Sequence, residues 1–272
     1  MKGRAALVLV AVLLATRGAA GAGAGLATPA GDVFDLAHPA VRAFSDRDGL
    51  PQNTIHAVAR DPRGYLWVGT QDGAARYNGR DWVVVDMPGR DVSNYVRTLV
   101  AARDCTLWFG REGGGLVRLR PEPFAATPRQ DAFTVFGTAE GLPADRVNRL
   151  LVARDGTIWA ATAGGGAARL VGERFERVSE GLKDGRLWVI AEIEDEDGRP
   201  RIVAGGEGGL AVLEGGVWSP VDLGPPELVG SVNSILQTRT PRAPARSGSG
   251  ATGTGSCECE GRESSGWARP RG

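Results

Sequence analysis

A six-residue motif occurs four times along this chain, and an internal repeat of this kind constrains the fold more than any other sequence feature. The copies are Tyr-Leu-Trp-Val-Gly-Thr at 65–70, Thr-Leu-Trp-Phe-Gly-Arg at 106–111, Thr-Ile-Trp-Ala-Ala-Thr at 157–162 and, without the tryptophan, Arg-Ile-Val-Ala-Gly-Gly at 201–206. A recurrence of roughly 40–50 residues predicts an array of like structural units.

Each unit has the pattern of several short β-strands. An apolar run ends at a turn such as Arg154–Gly156, and the motif, a glycine cluster, a second apolar stretch and an aromatic residue follow. The aromatic residues are Trp82, Phe124, Phe175 and Trp218. Such runs, separated by Gly, Asp and Asn, predict successive antiparallel strands. We therefore predict an all-β fold, a β-propeller of four-stranded antiparallel blades whose repeated tryptophans pack between blades.

The segments that link the units carry a second signature. Asp48–Pro51 and Glu140–Pro143 are an acidic residue followed by Gly-Leu-Pro, and Glu180–Lys183 is a weaker copy. Residues 44–82 add a strand, Asp-x-x-Gly, Leu-Trp-Val-Gly-Thr, Asp-Gly and Arg-Tyr. This composite resembles the two-component regulator propeller repeat, and the resemblance covers about residues 44–236. It implies the periplasmic sensor region of a hybrid histidine kinase or a diguanylate cyclase, where such repeats usually build seven-bladed propellers.

The chain divides into four parts. Residues 1–25 have a positively charged start, an apolar core too short to span a bilayer and small residues at the cleavage region, which predicts a signal peptide. Residues 26–40 form a linker, and 41–236 a partial propeller of about four blades plus the first strand of a fifth at Ser231–Leu236. Residues 237–272 are poor in large apolar side chains, which predicts disorder or non-native sequence from a truncated or frame-shifted gene.

One position in the first strand of each unit is a candidate binding position. It lies between apolar neighbours and holds His56, Arg97, Asn148, Trp188 and Asn233. Because the first strand of a propeller blade is the innermost, we expect these side chains to face the central channel or its mouth. We predict a small-ligand site in which Trp188 stacks and the other residues form hydrogen bonds. The alternative is a solvated channel wall without a ligand.

Other functions have little support in the residues. Charges balance at 32 basic against 32 acidic side chains, which gives no basic surface for nucleic acid. Cys105 is the single cysteine within the repeats, so no disulfide framework is expected. No metal, cofactor or catalytic grouping can be assembled from the spacing, and we predict that the chain is not an enzyme. A lyase of the streptogramin type would need His56 as a base beside a metal.

The family resemblance implies an extracytoplasmic ligand-sensing propeller of a two-component receptor, periplasmic or secreted. We expect the chain to lack the output domain, to bind an unknown small ligand or glycan, and to form a homo-oligomer. Its membrane connection would be a missing C-terminal span. The alternative function is a secreted propeller scaffold for protein or glycan binding.

Overall fold

The computed structural model describes residues 42–89, 91–120, 128–224 and 230–237. The chain contains two compact units, and the second, Ala43–Gly272, carries every strand given below. The predicted signal peptide (1–25), the predicted linker (26–40) and the predicted tail beyond residue 237 lie outside the described residues, as does Phe124.

Sixteen strands occur within the described residues, and they form four antiparallel sheets of four strands each. The first blade has β1 (Ile55–Arg60), β2 (Leu66–Thr70), β3 (Gly73–Tyr77) and β4 (Trp82–Val85). The second has β5 (Val96–Ala101), β6 (Leu107–Arg111), β7 (Leu116–Leu119) and β8 (Phe133–Phe136). The third has β9 (Val147–Val152), β10 (Ile158–Thr162), β11 (Ala167–Val171) and β12 (Arg174–Val178). The fourth has β13 (Leu187–Glu194), β14 (Pro200–Gly206), β15 (Gly209–Glu214) and β16 (Val217–Pro220).

Strand order in each sheet follows chain order, as it does in a propeller blade. Short 3-10 helices at Asp46–Asp48, Gln130–Ala132 and Thr138–Glu140 precede some of the strands. The predicted four-stranded antiparallel construction is confirmed. The aromatic residue that begins the outer strand of the second blade is Phe133, which pairs with Leu119, and not Phe124.

The motif tryptophans pack between successive blades, as predicted. Trp67 is fully buried in a cluster with Leu99 and Phe109 of the second blade, and its ring lies 6.0 Å from that of Phe109. Trp159 is buried with Leu187 of the fourth blade. These side chains therefore contribute to the core, where an aromatic ring buries a large apolar area.

The glycine of the motif permits the next blade to approach closely. A Cβ placed on Gly69 would lie 2.5 Å from Val96 Cγ1, and one on Gly110 would lie 2.8 Å from Val147 Cγ1. Distances below 3 Å are not compatible with ordinary packing, so any larger residue would push the blades apart. Val96 and Val147 thus occupy the space beside Gly69 and Gly110, where a larger residue would place its side chain.

Residues 230–237, where the sequence predicts the first strand of a fifth blade, have no strand assignment. The segment nevertheless lies beside the fourth blade in the expected place. Val232 Cγ1 is 2.5 Å from a Cβ placed on Gly205, and the Val232 N–H donates to the Gly206 carbonyl at 3.0 Å. The described residues offer it no second strand with which to form a ladder, and a strand requires that ladder.

Cys105 is the single cysteine within the blades. It is disulfide-bonded. Its φ of 65° is in the left-handed region, at the turn position where the other blades have Gly64, Gly156 and Gly198. A side chain with a Cβ is unfavourable in that region, so the second blade carries local backbone strain that the others avoid.

Candidate ligand-binding end of the blades

The predicted binding position is a β-bulge in all four blades. In β1, Ile55 pairs with Thr70 and Ala57 pairs with Gly69, which leaves His56 outside the ladder. The same interruption places Arg97, Asn148 and Trp188 outside the ladders of β5, β9 and β13. A bulge adds one unpaired residue and changes the direction of its side chain. The sequence alignment therefore identified the one residue of each inner strand that does not belong to the regular pleat.

These bulges lie at one end of the sheets, where the first strand of each blade begins and the second strand ends. We call it the bulge end. Backbone hydrogen bonds join the two segments there: Glu112 N–H to the Tyr95 carbonyl at 3.0 Å, and Glu207 N–H to the Arg186 carbonyl at 3.1 Å. The first strands of successive blades also contact one another, β1 with β5, β5 with β9 and β9 with β13. The bulge residues therefore occur on neighbouring inner strands.

Tyr95 brings two of the predicted residues together. Its ring centroid lies 4.6 Å from that of His56, and its hydroxyl lies 3.4 Å from His56 Nδ1. The Arg97 guanidinium lies over the same ring, 5.7 Å from the centroid, which is cation–π distance. Tyr95 was missed in the sequence analysis because it precedes the aligned strand.

Glu112 extends this group to the third blade. Its carboxylate accepts a hydrogen bond from Arg97, and its Oε1 lies 3.0 Å from Arg146 Nε. All three side chains are partly exposed. One carboxylate between two guanidinium groups leaves N–H donors available to a ligand and fixes where they point.

Arg111 holds in place the loop that carries Tyr95. Its side chain is buried, and Nη1 donates to the carbonyls of Pro88 at 2.8 Å and Ser93 at 3.1 Å. Burial lowers the pKa of the Arg111 guanidinium, although Asp91 acts in the opposite direction. The first and third blades have Thr70 and Thr162 at the position of Arg111. These hydrogen bonds from an arginine to the preceding loop therefore belong to the second blade.

Asn148 is buried, with 8% of its surface exposed. Its Nδ2 donates to the Leu187 carbonyl at 2.7 Å, and its buried Oδ1 has no hydrogen-bond partner among the described residues. The bond to Leu187 fixes the amide orientation, because a carbonyl accepts only from the nitrogen. Asn148 therefore ties the third blade to the fourth and keeps one acceptor unused, which is uncommon for a buried polar atom.

Trp188 and Asn233 lie apart from the Tyr95 group. Trp188 is half-buried, and its Nε1 donates to Glu207 Oε1 at 3.2 Å. Asn233 is exposed in the segment beside the fourth blade. Within the described ranges, no hydrogen bond, ion pair or ring contact joins either of them to His56 or Arg97. The structure thus brings together two of the five predicted residues, His56 and Arg97, through their shared contact with Tyr95.

The bulge end offers binding chemistry. It combines aromatic side chains that are partly or fully exposed with fixed donors and a carboxylate acceptor. Among residues 42–89, 91–120, 128–224 and 230–237, no three His, Cys, Asp or Glu side chains are grouped so as to hold a metal ion. The same residues contain no helix that is both long and apolar enough to cross a membrane.

Comparison with known proteins bears on the family and the fold. Residues 49–72 match the family model described as two component regulator propeller. The extracellular domain of the hybrid two component system BT3049 from B. thetaiotaomicron is similar, with a TM-score of 0.53 and 18% identity over 67% of this chain and 26% of that one. The extracellular domain of BT4673 from the same organism has a TM-score of 0.51 and 15% identity over 65% of this chain and 25% of that one.

This chain therefore spans about a quarter of the length of those solved structures. At such identities the likeness establishes the propeller fold. No curated protein sequence matches the chain.

Proposed function

We propose that this chain, which carries the two-component regulator propeller repeat on a β-propeller fold, is the extracytoplasmic ligand-sensing propeller of a two-component receptor. The repeat match and the likeness in fold to extracellular domains of signalling proteins support this proposal. Fold alone does not define function, so the proposal depends on the bulge end.

The carrying observation is the bulge repeated in four inner strands. A regular first strand would alternate its side chains between the two faces of the sheet. The bulge instead presents one additional polar or aromatic side chain per blade at the same end. The blades of a propeller are arranged around a central axis. A ligand at the bulge end would therefore contact the bulge residues of several blades.

The chemistry of the bulge end favours a small polar ligand or a glycan. Tyr95 and Trp188 offer flat apolar faces, and Arg97 and Glu112 offer a donor and an acceptor for hydroxyl groups. Sites of this kind obtain orientation from a few fixed polar groups and area from aromatic side chains. His56 lies against Tyr95 and adds an exposed ring to the same surface.

A screen of the full chain against a panel of oligosaccharides by thermal shift, followed by calorimetry, tests the proposal. We expect Arg97→Gln and Trp188→Ala each to weaken binding of a ligand found in the screen by about tenfold or more, the cost of a lost charged hydrogen bond or stacking face. The matched control is Arg129→Gln, an exposed arginine beside the start of β8 at the other end of the sheet. Equal affinities for all four proteins would refute the proposed site.

Location and signalling have their own tests. We expect residues 1–25 to export alkaline phosphatase when they are fused to it, because that enzyme is active only outside the cytoplasm. We also expect the gene beyond codon 272 to encode further Leu-Trp-x-Gly blades, a membrane span and a kinase or cyclase. A reporter that stays inactive would contradict export, and a stop codon confirmed at that point would favour the scaffold alternative.

A further inference from the structure

A groove lies between the second and third blades at the end of the sheets opposite the bulge end. Its volume is about 350 Å³, which is within the size range of small-molecule sites. The turns after β5 and β9 and the β11–β12 turn form its rim. The groove therefore shares no residue with the surface described above.

The floor of the groove is apolar. Trp108 comes from the second blade, and Ile158 and Leu170 come from the third. Trp108 and Ile158 belong to one buried cluster, against which Leu170 packs. A ligand that fits here would thus place an apolar body on a rigid, preformed surface.

Arg118 supplies a buried positive charge on one wall. The residue is 4% exposed, and its guanidinium lies 5.6 Å from the Trp108 ring centroid and 5.2 Å from that of Phe136. Its Nη2 donates to Thr134 Oγ1 at 3.2 Å, whereas its buried Nε has no hydrogen-bond partner among the described residues. A buried charge requires compensation by an anion.

Glu173 provides that compensation from the neighbouring blade. Its Oε2 lies 2.7 Å from Arg118 Nη2, and its Oε1 lies 3.3 Å from Arg120 Nη2, so one carboxylate bridges two arginines. The hydrogen bond from Arg118 holds the pKa of Glu173 below its usual value. The Glu173 side chain is nevertheless 62% exposed at a turn, where an ion pair contributes little and is readily exchanged.

We propose that this groove binds a small monocarboxylate with a short apolar body, and that Glu173 occupies the carboxylate position when no ligand is bound. The ligand carboxylate would replace that of Glu173 on Arg118 and Arg120, and its apolar part would lie on Trp108 and Leu170. The exchange leaves the number of ion pairs unchanged. The gain comes from the apolar surface that the ligand covers.

The third blade supplies a matched control. Arg169 occupies the position of Arg118 opposite the motif tryptophan, and it pairs with Glu176 of its own sheet at 3.2 Å. Both Arg169 and Glu176 are exposed, and neither lines the groove. Glu176→Gln therefore removes a carboxylate of the same blade without freeing Arg118.

The experiment is an NMR titration of the ¹⁵N-labelled full chain with hexanoate and phenylacetate, and with their neutral amides. We expect the acids to shift the Trp108 indole and Arg118 Nε–H signals and the amides to leave them unchanged. Glu173→Gln should bind the acids up to about fivefold more tightly, because it removes the internal competitor. Arg120→Gln should bind them more weakly, and Glu176→Gln should equal the natural chain.

Three results would overturn the proposal. One is that neither acid shifts these signals at tens of millimolar concentration in the natural chain or in Glu173→Gln. Another is that acids and amides bind with the same affinity. The third is that Glu173→Gln and Glu176→Gln have equal affinities for the acids, since the carboxylate of Glu173 would then not compete for the site.

Discussion

The first strand of the first blade and those of the three following blades carry the same apolar pattern in different surroundings. Ile55 and Val58 of β1 are 38% and 59% exposed. The matching residues of the other blades are between 0% and 5% exposed, namely Val96, Leu99, Val147, Leu150, Leu187 and Ile190. Each of these six packs against the preceding blade, and among the described residues β1 has no such neighbour. The inner strand of a blade is therefore buried by contact with the preceding blade and not by its own sheet, as in other repeat folds.

The largest expected effect on stability distinguishes the buried first strands from the exposed β1. Leu150→Ala should destabilise the protein by about 3 kcal/mol, because it removes buried methyl groups and leaves a cavity between two blades. Val58→Ala, at the matching position of β1, should change the free energy of unfolding by less than about 0.5 kcal/mol. Urea denaturation of both variants checks this difference. Similar losses of stability for both variants would mean that Val58 of β1 is buried against another surface in solution.

A second substitution tests the approach of the blades. Gly110→Ala should cost about 2 kcal/mol, since its Cβ would lie 2.5 Å from Thr98 Cγ2 and 2.8 Å from Val147 Cγ1. Gly164→Ala is the control, because a Cβ there meets nothing within 4 Å. Denaturation midpoints of the two variants should differ clearly. A neutral Gly110→Ala would show that the second and third blades can separate without loss.

Cys105→Gly tests the backbone strain that distinguishes the second blade from the others. With all cysteines reduced, this variant should be about 1 kcal/mol more stable than the natural chain, because glycine has no steric penalty at the φ of 65°. Cys105→Ala retains a Cβ and should show no such gain. Thermal unfolding in excess reductant provides the measurement, and a lower midpoint for Cys105→Gly would contradict the assignment of strain.

The smallest effect concerns the ion pair that joins the second blade to the third. The pKa of Glu173 is lowered in the folded protein, so its contribution is present above the ordinary glutamate value of 4.5 and is lost as the pH falls through the lowered value. At neutral pH, Glu173→Gln should be less stable by under about 1 kcal/mol. Urea denaturation at a series of pH values should show this gap closing in acid. A gap that persists in acid would point to a cause other than the charge of Glu173.

The sequence was sufficient to predict the fold, because the recurring Leu-Trp-x-Gly places a buried ring and a close contact at fixed positions in each blade. The sequence also identified His56, Arg97, Asn148 and Trp188 as candidate binding residues, because each lies between apolar neighbours in the first strand of its blade. It did not reveal that each is a bulge, since a bulge is visible only as a shift in pairing between strands.

Three contributors to the bulge end escaped the sequence analysis for a physical reason. Tyr95 and Arg146 precede the aligned strands, and Glu112 follows one, so none of them belongs to the repeated apolar pattern. Their association depends on how loops of different blades meet. A charged or aromatic residue beside a strand end, as in Tyr95-Val96-Arg97, was the available signal. The disulfide of Cys105 could not be predicted either, because cysteine spacing does not define connectivity.

The space opposite Gly69, Gly110 and Gly205 has a consequence for how such chains can grow. Gly69 and Gly110 on the second strands of the first and second blades face Val96 and Val147 on the next first strands, so these two joints are made from the same two parts. The joint between the third and fourth blades uses Ala161 and Leu187 in their place. A duplication or deletion of the second blade would again set a glycine against a valine at each new joint, so this contact would need no further substitution. The number of blades can thus change in one genetic step while the contact between neighbouring blades is preserved.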